Sequence, residues 1–236
     1  MKTTILTVYS KKIQLKELLL LCGILSSLLY VGMNIIAASR YEGYSSISQT
    51  VSELSAIGAP TRSLWNPLVI IYELLLIAFG FGVRLSSLQK RSVRILGSML
   101  VVFGMIGLAW PLGSMHTREV LADGGGNMSD ILHIILGSVT IPFMLTAIGF
   151  GSVAFGIRFR IYSIVSILLI LAFGILVGLN SPRIHANLPT PWVGIWERIS
   201  IAGFLLWVVV LAIILLRLRK GEDLVNATIP NHEQPG

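Results

Sequence analysis

Two histidines, an arginine, a glutamate and two aspartates crowd into HTREVLADGGGNMSDILH, residues 116–133 of a chain that is 54% hydrophobic. A third histidine, His185, lies in NSPRIHANLPTPWVGIWERIS, residues 180–200. A fourth group sits in YSSISQTVSELSAIGAP, residues 44–60, where Ser52 is followed by Glu53. His116, His133 and His185 are the residue types that hold zinc, with Asp130 or Glu53 as general base and Ser52 as hydroxyl. Together they carry the chemistry of a metal-dependent hydrolase acting on a lipid-like substrate. Their spacing contains neither HxxxH nor HExxH, so zinc is one reading and isolated structural histidines are the other. Arg118 and Arg183 are cations available to an anionic headgroup or carboxylate, although Arg118 and Glu119 also fit a solvated loop. His133 is the one histidine inside an apolar run and its axial partners would be loop residues, so haem is not expected, nor is a nucleotide.

These groups have to be held by apolar elements. Charged residues are 12% of the 236, about half the roughly 25% of soluble domains, and the mean hydropathy is +0.82. This is an integral membrane composition, all-α because strands in lipid must close a barrel to satisfy their backbone. Runs of the length that crosses a bilayer fall near 18–38, 65–83, 95–112, 131–155, 161–179 and 199–216. The first is too long for the about 7–15 apolar residues of a signal peptide and reads as a retained span. The expected organisation is a basic tail (1–17), a six-span domain (18–216) and a disordered tail (217–236) containing His232. Cys22 is the single cysteine, which leaves no disulfide framework and no cysteine metal site.

Charge orients the spans. Lys2, Lys11, Lys12 and Lys16, then Arg84, Lys90, Arg91 and Arg94, then Arg158 and Arg160, then Arg217, Arg219 and Lys220 share one side. The other side holds Arg40, Arg62, Arg118, Arg183 and Arg198. Positive residues stay inside, so both termini are expected in the cytoplasm of a cell membrane. The net charge of +7 then reflects topology, not nucleic-acid binding. Trp65, Trp110, Trp192 and Trp196 fall at the external boundary, as an interfacial belt would. His116, His133 and His185 map there too.

Each external segment has two readings. In 44–58, Ser46 and Gln49 fit a capping box, and Ile47, Val51 and Leu54 form an apolar stripe. That predicts a short amphipathic helix, lying on the bilayer or covering a cavity with Ser52 or Glu53 pointing in. Asn66-Pro67 reads as N-cap and first residue of the second span. Glu73 then falls about 12 Å into the hydrocarbon at ~1.5 Å per residue. A charge there costs roughly 2.5–3.5 kcal/mol on insertion scales. Glu73 is therefore either a neutral acid hydrogen-bonded to a neighbouring helix, or a proton or substrate site at the floor of a cavity. Asn127 and Asp130 have capping spacing. Asp130, His133, Gly137 and Thr140 also recur on one helical face, which places Asp130 one turn above His133, able to orient its ring. Glu197 and Arg198 read as a rim ion pair, and the prolines at 182, 189 and 191 as a stiff extended loop.

YSSISQTVSELSAIGAP, the His116–His133 region and GIWERIS leading to Trp207 together are similar to a prokaryotic membrane-protein family of unknown function, DUF998. The Ser-Glu-Leu-x-Ala-x-Gly-Ala-Pro segment (52–60) is the most specific part. An Ile-Ser…Gly…Pro pattern after the first span more distantly resembles six-span proteins of the Frag1/DRAM type. The resemblance implies a fold and no activity. Besides a hydrolase, two functions stay open. One is a proton-coupled transporter or binder of a small amphiphile, for which a homodimer would supply a second half. The other is a scaffold or sensor contacting lipid through the 44–58 segment.

Overall fold

The computed structural model describes residues 2–86 and 90–228. Seven α-helices form among them: α1 Lys2–Ser39, α2 Arg62–Leu85, α3 Arg91–Gly107, α4 Arg118–Ala122, α5 Met128–Ser152, α6 Ile157–His185 and α7 Val193–Thr228. Five of these, α1, α2, α5, α6 and α7, contain segments long and apolar enough to cross a membrane. α3 is equally apolar in sequence but has only 17 residues. α7 runs on through the first part of the expected tail, while His232 lies outside the described residues.

The helices close into a ring. α1 packs on α2, α2 on α3, α3 on α5, α5 on α6, α6 on α7, and α7 returns to α1. Apolar residues face outward as well as inward: Ile35, Leu168 and Leu179 are all exposed, which a water-soluble surface avoids and a lipid-facing one requires. The half of the ring near the 152–157 connection holds a buried core that includes Phe79, Leu96, Ile148, Trp207 and Leu211. Small residues permit that packing. A Cβ added to Gly97 would sit 2.7 Å from the Arg84 backbone nitrogen and 2.8 Å from the Gly80 carbonyl oxygen, so α2 and α3 meet backbone to backbone. Polar groups in this half are paired: Trp207 Nε1 donates to Ser163 Oγ at 2.9 Å, and Ser27 Oγ to the Leu205 carbonyl at 3.2 Å.

Several local expectations change. α2 begins at Arg62 and not at Asn66-Pro67, because the Thr61 carbonyl already accepts from Leu64 and Trp65 nitrogens and Thr61 Oγ1 donates to Leu54 O at 2.7 Å. Trp65 is consequently buried and packs edge-on against Tyr30, ring centroids 6.0 Å apart, so it does not belong to an interfacial belt. α6 continues through Pro182 to His185, and α7 already starts at Val193. The stiff external loop expected over 180–198 shrinks to the residues between them.

Candidate functional site

At the opposite half of the ring the segment 44–57 folds inward. The amphipathic helix expected there is a compact loop with a single 3-10 turn, Ser52–Ser55. Side chains take the polar groups that a helix would have used. Gln49 Oε1 accepts from the Ser45 nitrogen at 2.8 Å, and Tyr44 OH donates to the Thr50 carbonyl at 2.7 Å. Glu53 accepts from both the nitrogen and hydroxyl of Thr50, at 2.6 and 2.9 Å. Of the apolar stripe, Val51 and Leu54 are buried, whereas Ile47 is exposed.

Two arginines fasten this loop. Arg118, expected in a solvated linker, is 9% exposed and forms a two-pronged pair with Glu53, itself 4% exposed. Its Nε donates to Oε1 at 2.6 Å and its Nη2 to Oε2 at 2.9 Å. The same guanidinium reaches Thr190 Oγ1 at 2.8 Å and the Ser48 carbonyl at 3.1 Å, and Thr190 donates to Ser48 O as well. Three segments distant in sequence are thereby knotted at one point. Arg198 holds the other flank, donating to the carbonyls of Ser46, Gln49 and Gly194 at 2.9–3.0 Å and to Tyr44 OH at 2.6 Å. Burial holds the Tyr44 phenol above its ordinary range, against the opposing pull of the Arg198 charge. Arg198 is therefore a loop clamp, not half of a rim pair with Glu197.

Under the loop lies a cavity of about 320 Å³. Its wall is mostly apolar and aromatic, with Tyr30, Trp65, Tyr72, Trp110, Phe103 and Phe204 contributing rings from five elements. The loop supplies Ser52 and Ser55 as a roof. Three titratable groups reach the cavity. Glu197, on the first turns of α7, accepts a hydrogen bond from the Val51 nitrogen through Oε2, which also ties the roof down. His133 donates from Nδ1 to the Gly113 carbonyl at 2.9 Å, and this hydrogen bond assigns its tautomer and leaves Nε2 as an acceptor. Glu73, 2% exposed, has no hydrogen-bond partner among the described residues, and its Oε2 is fully buried. Gly107 of α3 makes room for it: a Cβ there would come within 2.2 Å of the Glu73 carboxyl carbon.

The residues selected from sequence divide sharply. Ser52, Glu73 and His133 line the cavity, together with Gly137 and Thr140 from the His133 face. Glu53 turns away to Arg118. Asp130 also turns away: it caps the Asn127 nitrogen at 2.8 Å, and holds His116 through its backbone nitrogen at 2.7 Å and Nδ1 at 2.8 Å. The carboxylate expected to orient His133 therefore orients His116, and a backbone carbonyl orients His133. His116, His133 and His185 are not gathered: among the described residues no three His, Cys, Asp or Glu side chains are grouped to hold a metal ion. Arg183 is exposed at the end of α6, its Nε donating to the Pro189 carbonyl at 3.0 Å. Glu197 is the cavity residue the sequence reading set aside as rim. Its signal was periodicity, since Glu197, Ser200, Ile201 and Phe204 share one face of an apolar helix.

Residues 24–214 match the family model described as "Protein of unknown function (DUF998)". No curated protein and no solved structure matches the chain.

Proposed function

We propose that this chain, which belongs to the DUF998 family of proteins of unknown function, is a six-span membrane protein that binds a small amphiphilic molecule in the cavity beneath its 44–57 loop. The observation that carries this is the cavity itself. At about 320 Å³ it stands at the small end of the roughly 300–1,000 Å³ of ligand sites, and it shares their pattern of apolar walls with a few convergent polar groups. Empty volume inside a helix bundle forfeits dispersion contacts, which a bound molecule would restore.

Binding or carriage is favoured over metal-dependent hydrolysis by where the side chains go. Asp130 and Glu53 are consumed by His116 and Arg118, while Ser52 and His133 remain at the cavity as recognition groups. Arg183, exposed on the same end of the ring, is a headgroup contact in this reading. α3 is the sixth span. Lys90 Nζ, just before it, donates to the Ala154 carbonyl after α5 at 3.0 Å, and a 3-10 turn just beyond it packs on α5. α3 thus runs the same path as its neighbours. Six crossings put both termini on one side, which the distribution of Lys and Arg makes the cytoplasmic face of the cell membrane.

The test uses Trp65 and Trp110 as reporters, since both line the cavity. In lipid nanodiscs, 6-bromohexan-1-ol should quench tryptophan fluorescence along a saturable curve. Gly137→Phe should abolish the saturable part, because a Cβ at Gly137 meets nothing within 4 Å and the ring would fill the space. Quenching that rises linearly and equally in both proteins would mean that the bromoalcohol only partitions into lipid, and the proposal would fail.

A further inference from the structure

Two carboxyls and an imidazole line the cavity alongside the phenols of Tyr30 and Tyr72 and the indoles of Trp65 and Trp110. Glu73 is 98% buried from solvent by its 2% exposure, faces the cavity and makes no hydrogen bond among the described residues. Glu197 accepts from the Val51 nitrogen and is also hydrogen-bonded to the Ser52 side chain of the roof. His133 has spent its donor on Gly113 and keeps Nε2. No lysine or arginine lines the space. The two arginines that fasten the roof are committed, Arg118 to Glu53 and Arg198 to four oxygens of the roof and α7, and Arg62, three residues before Trp65, does not line the space. No cationic side chain in the wall is therefore paired with the Glu73 carboxyl, and a cationic ligand would be.

The rings around it have the geometry of a cation site. Tyr30 stands edge-on to both Trp65 and Tyr72, with centroids 6.0 and 5.0 Å away and interplanar angles of 83° and 63°. Rings set at steep angles to one another enclose a space on several sides, as they do where proteins hold quaternary ammonium groups by cation–π attraction. Tyr72 and Glu73 are adjacent in the chain and both reach the cavity, so the aromatic wall and the carboxyl are delivered by one turn of α2. Ile141 and Met144 extend the wall away from these rings as an apolar surface.

We infer that the cavity selects an organic ammonium: a cationic head held by Glu73 and the Tyr30–Trp65–Tyr72 rings, with a short apolar body along α5. This rests on the binding reading above and names the charge of the ligand. An anion or a plain hydrocarbon would leave Glu73 uncompensated, whereas a cation gives it its missing partner.

Benzyltrimethylammonium and neopentylbenzene have the same shape and differ in charge, because a carbon replaces the nitrogen. Titrated against tryptophan fluorescence in nanodiscs, the cation should bind at least about tenfold more tightly, a difference of ~1.4 kcal/mol. Glu73→Gln should erase that preference while leaving the binding of neopentylbenzene as it was, and Glu73→Asp should keep it. Equal affinity for the two probes in the unmodified protein, or a preference that survives Glu73→Gln, overturns the ammonium inference and leaves the cavity reading standing. Saturable binding of neither probe overturns both.

Discussion

Arg118 and Glu53 illustrate how far a residue's role depends on its partner. In water such a pair contributes ~0–1 kcal/mol. Buried, each charge has been stripped of solvent, and removing one partner leaves the other uncompensated at a cost of about 3–5 kcal/mol. Arg118→Ala should therefore lower the melting temperature in detergent far more than Arg183→Ala, whose parent side chain is exposed. The double variant Glu53→Gln/Arg118→Met should recover part of the loss. If Arg118→Ala and Arg183→Ala behave alike, the buried pair does not hold the roof. Sequence could mark Arg118, Glu53, His116, Asp130 and His133 as the polar residues worth watching, yet it could not pair them. Asp130 chose His116 over His133 because the chain before α5 folds back, placing the His116 nitrogen 2.7 Å from Asp130 Oδ1. That fold-back is a loop geometry, and no helical periodicity encodes it.

At the scale of elements, hydropathy marked all six ring helices, because a run of apolar side chains facing lipid needs no tertiary knowledge to recognise. The ends were harder. α6 carries Pro182 inside its last turns and α7 carries Glu197 and Arg198 in its first, and all three read locally as loop. The 44–57 segment failed differently: its spacing is that of a helix, but Arg118, Arg198 and Tyr44 capture carbonyls at Ser46, Ser48, Gln49 and Thr50 that the helical ladder requires. α3 remains the element whose length needs explanation. Seventeen residues span about 25 Å at ~1.5 Å each, against about 30 Å of hydrocarbon, a mismatch absorbed by local thinning or by the turn that follows it. On a Cys22→Ser background, Asp123→Cys should react with a membrane-impermeant maleimide in intact cells. Arg91→Cys should react only after the membrane is opened. Reaction of both from outside, or of neither, would put them on one side, making α3 a re-entrant segment and the span count odd.

The molecule as a whole is asymmetric along the ring axis. One half is closed by glycine-mediated contacts among α2, α3, α5 and α7, such as Gly151 against Trp207, where an added Cβ would lie 2.5 Å from the indole. The other half keeps its space open and spends its polar residues on a fastened roof. Such a division suits a protein that holds one end rigid while a small molecule enters the other, and it places Glu73 at the boundary between them. Composition alone pointed to the membrane class, and five helices are long and apolar enough to cross a bilayer. The cavity was not legible, because an empty space is defined by residues from six helices and a loop whose mutual placement no single segment contains. Photo-crosslinking with a short diazirine-bearing alcohol in nanodiscs reads that space directly. The adducts should fall on cavity residues such as Ile141, Met144 and Ile201, and should disappear when excess unlabelled alcohol competes. Adducts confined to lipid-facing residues such as Ile134, Leu168 and Leu206, unchanged by the competitor, would contradict a ligand-binding cavity.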